Sequence, residues 1–384
     1  MTMNDEIQIC LWDELSAAQR QLVNAQVPSL AVWRNVPRGR ASSVAVAWQR
    51  AQLVAAVALT HDRVGIDGAN IDVAVVRETY CASPATHDVV VETVMHQALS
   101  LLDEGISIIM VQSNVSEWTR HGFAPVSLNS SIRQQNAPAL AIPQLARHAV
   151  PTATEWEIIR SMGLLQSRRT PTCYDTAQLP QRPWVLLDGR DGQLRAAADV
   201  VHTTDTSRVV AAVASDDGAA FDLVQQLWYT AIVPHKPLLQ LPTAHACAQA
   251  ALAQYGVITQ HAAVDVCAMA GVIDLPMMLS ALVPAFERRL RASAYAGWQG
   301  GVRIEISDER AMLMINDGRV RVIDGTREAD VRIKHVDVAA LAQLAFGYRS
   351  VALLRRAGLL NCDDTELPLC DVLFPVCHPV IVLE

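Results

Sequence analysis

An α/β chain closing in an α+β layer is what the sequence predicts, and three patterns carry the prediction. Apolar runs of strand length open it in a block: "SSVAVAWQ" (42–49), "QLVAAVAL" (52–59) and "IDVAVV" (71–76). A strand, a helix and a strand then follow, and that order returns between 184 and 272. Finally, a block of strands over 301–335 lies between a helix at 274–293 and an apolar helical stretch at 336–360. With 384 residues the chain exceeds one core and divides into several domains.

The elements follow in order. Residues 6–27 become helical after "WDEL", and the three opening runs are separated by polar or glycine turns such as "DRVGIDG", which makes an antiparallel meander. The next helix spans about Val89 to Glu104, with Val91, Met95, Ala98 and Leu102 on one stripe. Gly105 ends it where a left-handed residue is wanted. The strand "ISIIMVQSN" (106–114) starts at once, so the unit is a right-handed crossover. "VSEWTRHGFAPV" (115–126) is a short helix turning on Gly122 into a strand. Residues 134–183 are rich in loops, with a capped helix in "PTATEWEIIRSMG". From 184 to 272, strands and helices at 217–231 and 243–254, closing on the strand "AAVDVCAMAG", repeat the first order as a divergent second copy.

Composition excludes several classes. The net charge is −8, from 39 acids and 31 bases, and no lysine or arginine cluster tracks a phosphate backbone, so nucleic acid is excluded as a partner. The N-terminus is acidic and no apolar run is long enough to span a bilayer, which reads as a cytoplasmic protein. Eight cysteines are scattered without a CxxC pair or a disulfide framework. Cys370, Cys377 and His378 come nearest to a metal cluster, but their spacing fits no familiar ligand set, and no metal is expected. The pairs His61–Asp62 and His87–Asp88 lack a nucleophile motif, so hydrolase chemistry is discarded.

With the crossover before it, "SNVSEWTRHGFAPV" resembles the GCN5-related N-acetyltransferase (GNAT) superfamily, whose members follow the fifth strand with a short helix and a "GF" turn of this form. The stretch "LAFGYRSVALLRRAGLL" with "LCDVLFP" resembles the sterol-carrier-like C-terminal domain of the enhanced intracellular survival (Eis) type acetyltransferases. The resemblance implies tandem GNAT folds, an N-terminal domain at 1–133 and a divergent second at 134–273, followed by a sterol-carrier-like α+β domain at 274–384. It also implies acetyl transfer from acetyl-CoA to a small-molecule amine by direct attack. Homo-oligomerisation stays open.

Members of the superfamily aim the amides of a glycine-rich loop and helix N-terminus at the cofactor pyrophosphate. Here the matching segment is "ASPATHDVV", with no glycine between Gly68 and Gly105 and no arginine or lysine between Arg77 and Arg120. The resemblance places the cofactor contacts at Thr79, Cys81, Ala85, Thr86, His87, Asp88, Val89 and Val90, with Asn114 near the pantetheine. Two readings of the junction stand. Asp88 caps the helix and satisfies the amides a pyrophosphate would need, or Thr86, His87 and free N–H groups still hold a phosphate. A carboxylate about 5 Å from a phosphate charge costs roughly 3 kcal/mol at an effective dielectric of about 20, more than a tenfold loss of affinity.

For proton transfer, the resemblance implies a tyrosine acid after the fifth strand and the terminal carboxylate as base. Phe123 holds the tyrosine position, Trp118 the place of the other common tyrosine, and His121 between them is the remaining candidate acid. The terminal carboxylate is that of Glu384. These departures predict weak or absent activity. Two alternatives are a binding or scaffold protein and an apolar-ligand carrier, the latter with a tunnel lined by residues such as Leu341, Leu344, Phe346 and Leu353.

Overall fold

The computed structural model describes residues 7–376 except 31–41, 84–85, 101–104, 115–117, 127–130, 135–144, 167–171, 175–182, 190, 203, 205–206, 231, 236, 242–244, 255, 260–265 and 307–308. The chain opens with strand β1 (Gln8–Leu11), a 3₁₀ turn (Trp12–Glu14) and helix α1 (Ala17–Gln26). Ser16 and Gln19 cap α1 reciprocally: the Ser16 hydroxyl accepts from the Gln19 amide, and the Gln19 side chain accepts from the Ser16 amide. The meander follows as β2 (Ser42–Gln49), β3 (Gln52–Ile66) and β4 (Ala69–Cys81). β3 and β4 run well past the lengths read from sequence. "DRVG" is strand rather than turn, and the reversal is made by Asp67 and Gly68 alone, at φ 47° and 75°.

Helix α2 (His87–Ser100) crosses to β5 (Ile108–Asn114), which pairs parallel with β4. Gly105 and Gly122 carry the expected left-handed backbone, at φ 85° and 83°. After a 3₁₀ turn (Thr119–His121) come β6 (Ala124–Pro125), β7 (Ser131–Gln134), β8 (Ala146–Ala149), α3 (Ala153–Gln166) and β9 (Thr172–Tyr174). The second copy supplies β10 (Trp184–Asp188), β11 (Leu194–His202), β12 (Ser207–Ala214), α4 (Asp217–Tyr229), β13 (Leu238–Leu239), α5 (Ala246–Ala253), β14 (Gly256–Thr259) and β15 (Val266–Val272). The last segment consists of α6 (Leu275–Arg291), β16 (Gly300–Ile306), β17 (Arg310–Asn316), β18 (Arg319–Asp324), β19 (Val331–Val336), α7 (Val338–Ala345), α8 (Val351–Arg356) and α9 (Leu367–Leu373).

The first sheet has the order β1-β2-β3-β4-β5-β15-β6, with β9 paired to β3; the second has the order β14-β7-β13-β12-β11-β10-β8. The two sheets therefore exchange strands. β15, which the sequence order places in the second copy, lies between β5 and β6, and β7 lies between β14 and β13. Ala268, Met269 and Ala270 are buried, so β15 is apolar on both faces and suits an interior position. The strand exchange thus runs across the division at 133 expected from sequence.

The third sheet, β18-β17-β16-β19, shares one core with the first. Val73, Val75, Ile108 and Met110 pack with Leu279, Leu282 and Phe286 of α6, and the same cluster continues through Leu313 and Leu341. At the β3–β4 tip Asp67 accepts from Arg288 and Arg289, each at 3.0 Å. A Cβ on Gly68 would stand 2.8 Å from the Arg288 guanidinium, so this turn needs glycine for space as well as for φ.

Candidate functional site

β4 and β5 pair from Val73↔Ile108 to Val76↔Val111 and then part. Beyond that point β4 stays with β3 as far as Cys81↔Ala55, while β5 stays with β15 as far as Asn114↔Val266. A fork opens at the carboxyl ends of two parallel strands, the place where α/β sheets take ligands. Behind the fork, Arg77 pairs with Asp62 at 2.6 Å and Thr60 donates to the same carboxylate oxygen at 2.9 Å. Both charged side chains are buried, so this polar network pins β4 to β3 where β4 leaves β5.

The start of α2 and the turn Thr119–His121 follow the two prongs. Thr86 and Ser83 close the turn ahead of α2: the Thr86 amide donates to the Ser83 carbonyl at 2.9 Å, and the Ser83 amide donates to the Thr86 hydroxyl at 3.3 Å. The Cys81 thiol reaches the same turn, 3.1 Å from the Thr86 hydroxyl. α2 begins at His87, which puts Asp88 inside its first turn. The expected capping role for Asp88 is therefore corrected. Its carboxylate is engaged from across the fork, by Arg120 Nη2 at 2.5 Å and with His121 Nε2 at 3.2 Å. Arg120 Nε in turn lies 3.1 Å from His121 Nε2. The Arg120 guanidinium outcompetes the helix's own amides for a carboxylate that stands two positions past the cap.

Below this cluster the aromatic residues form a floor. His87 meets the Trp118 ring edge-on at 6.0 Å, and Trp118 meets Phe123 at 4.9 Å. Trp118 and Phe123 are fully buried. A Cβ on Gly271 of β15 would lie 3.1 Å from the Phe123 ring, so the borrowed strand presses directly on it. Trp118 and Phe123, which the sequence resemblance set at the tyrosine positions, are thus core residues without a hydroxyl. Of the other sequence candidates, Thr79 is exposed, Val90 is buried in the core beneath α2, Val89 packs beside it, and Asn114 ends β5. Ala85 and Glu384 lie outside the described residues. Arg120 is the residue that sequence reasoning missed; its place just before His121, on the turn facing α2, was the available signal.

The second copy's crossover, β12–α4–β13, starts differently. Asp216 is a true N-cap: its carboxylate accepts from the Ala219 amide at 2.8 Å and from the Ser215 hydroxyl at 2.8 Å, with Arg195 at 3.2 Å. The Ala219 amide foremost, then the Ser215 hydroxyl, hold this carboxyl below its ordinary pKa. At the next helix His245 is the N-cap of α5, its Nδ1 accepting from the Cys247 amide and its Nε2 facing the Ala212 carbonyl, each at 3.1 Å. Burial pushes its pKa down to about 4 and pushes the Cys247 thiol up to about 12.

Elsewhere, Cys370 lies 3.7 Å from Cys362 in the third core, and that thiol neighbour together with burial raises its pKa. Cys377 and His378 lie outside the described residues. Leu341, Leu344 and Phe346 are core, whereas Leu353 is exposed, so these four do not line one tunnel. Among the described residues no helix is long and apolar enough to cross a membrane.

The sterol carrier protein domain family matches residues 286–382. No curated protein matches the chain in sequence. Solved structures match almost its whole length. A GCN5-related N-acetyltransferase from Anabaena variabilis is similar at TM-score 0.70 and 12% identity, covering 98% of this chain and 99% of that one. A probable N-acyltransferase of unknown function from Enterococcus faecalis gives 0.64 and 12%, covering 99% and 100%. Eis1 from Mycobacterium abscessus gives 0.60 and 16%, covering 97% and 98%. At these identities the likeness is one of fold. The chain has the mixed α/β fold of these GNAT N-acetyltransferases and carries a sterol carrier protein domain at its C-terminal end.

Proposed function

We propose that this protein is an acetyltransferase-type chain that takes acetyl-CoA weakly in the β4/β5 fork and transfers acetyl groups to amines poorly or not at all. The observation that carries the reading is the Asp88 carboxylate, set in the first turn of α2 and held by Arg120 and His121. A pyrophosphate entering here meets an anion already in place, and the Arg120 guanidinium that would receive it is engaged. Displacing Asp88 from Arg120 exchanges one carboxylate contact for a phosphate contact, so the net gain is small.

The proton side of the reaction is depleted in the same way. Trp118 and Phe123 offer no acid for the departing thiolate, which leaves His121, itself beside Asp88. The unpaired thiols Cys10, Cys81, Cys247, Cys362 and Cys370 agree with a reducing compartment, the cytoplasm. The test is amine-dependent release of CoA thiol from acetyl-CoA over a panel of primary amines, with hydrolysis without amine as baseline. Release at or near baseline is expected. Turnover in the ordinary enzyme range, on the order of 1 per second or faster, contradicts the reading.

A further inference from the structure

We propose that His87, Asp88 and His121 form a site for a divalent transition-metal ion of the zinc class. Each of the three offers one ligand atom, and these atoms lie within 4.8 Å of one another. Two imidazoles and one carboxylate are a zinc donor set that leaves a fourth position open. Donors bound tetrahedrally at about 2.1 Å from zinc stand about 3.4 Å apart. His121 Nε2 and Asp88 Oδ1 are already 3.2 Å apart.

The guanidinium of Arg120 shows what this pair seeks. His121 Nε2 has a donor, Arg120 Nε, at 3.1 Å and an acceptor, Asp88 Oδ1, at 3.2 Å. A neutral imidazole nitrogen serves only one of them. As acceptor from Arg120, its lone pair and the Asp88 oxygen converge on a single cation, because Arg120 Nη2 also lies 2.5 Å from that oxygen. A metal ion replaces the guanidinium at both atoms and draws in His87 as third ligand. The Arg120 side chain is 57% exposed, so it swings into water at little cost. Sequence spacing hides the set, since residues 87–88 and 121 meet only across the fork.

The test uses the full chain stripped of metal and free of acetyl-CoA, so its failure leaves the proposed function untouched. Zn²⁺ is titrated in competition with a chromophoric chelator, and Co²⁺ is followed by its visible d–d absorption, with circular dichroism confirming that each variant is folded. One equivalent binding in the micromolar range with a tetrahedral Co²⁺ spectrum is expected. Asp88→Asn and His121→Ala each weaken it about tenfold or more, the scale on which metal sites respond to lost support. Arg120→Ala tightens it severalfold, because a competing cation is gone. Absence of one-equivalent binding overturns the proposal, as does binding that His121→Ala leaves unchanged or that Arg120→Ala weakens.

Discussion

The two crossover helices each begin beside an aspartate, and the two carboxylates do opposite things. Asp216 stands immediately before α4, accepts from the Ala219 amide and closes its own helix end. Asp88 stands inside the first turn of α2 and reaches outward to Arg120 and His121 on the facing turn. Two residues of offset separate a structural cap from a charge displayed in the fork. The Ala219 amide at the start of α4 has an internal acceptor in Asp216. At α2 the acceptor is turned across the fork, and in the proposed function it is the Asp88 charge and the engagement of Arg120 that oppose a pyrophosphate.

The largest effect expected lies beneath the first junction. Trp118→Ala empties the buried floor shared with Phe123 and His87 and costs about 3–5 kcal/mol of stability, read by denaturant unfolding. A cost below about 1 kcal/mol breaks the picture of a packed floor under the fork.

The second junction carries the next effect, through pH. The His245 pKa is near 4 in the folded protein against an ordinary value of about 6.5, so the unfolded chain takes up the proton first. Its contribution is complete above about pH 6.5, falls as pH drops toward the folded value, and is levelled off below it. The loss amounts to about 3 kcal/mol across that window. His245→Asn keeps a capping acceptor and removes this dependence, which unfolding midpoints between those pH values check. An unchanged slope in the variant rules out His245 as its source.

The smallest effect separates the aspartates themselves. Asp216→Ala removes a cap and costs about 1 kcal/mol, whereas Asp88→Ala, at an exposed position without a capping bond, leaves stability within about 0.5 kcal/mol. Equal losses at the two positions erase the distinction. Asp216, held below its ordinary pKa, adds stability above about pH 4 that is lost as pH falls through the folded value.

Much of this was legible in the sequence because it is local. The meander, the α2 stripe and the left-handed glycines at 105 and 122 follow from periodicity and backbone sterics. That Phe123 and Trp118 carry no hydroxyl is read directly from the sequence. What escaped depends on partners distant along the chain. "AAVDVCAMAG" reads as a buried strand wherever it pairs, and nothing local tells β15 to enter the first sheet. "HDRVG" looks like a turn because its charges are visible and their partners are not: Asp62 is buried against Arg77. The Asp88 offset of two residues falls within the uncertainty of any helix boundary read from sequence, and it reverses the role of the carboxylate.

The most direct test is calorimetric titration of the metal-free protein with acetyl-CoA at modest salt, in parallel with Asp88→Asn. The account predicts binding no tighter than millimolar for the native chain and a gain of about tenfold in the variant, as Arg120 and His121 are released to the phosphates. Micromolar binding by the native chain that Asp88→Asn leaves unchanged would contradict it.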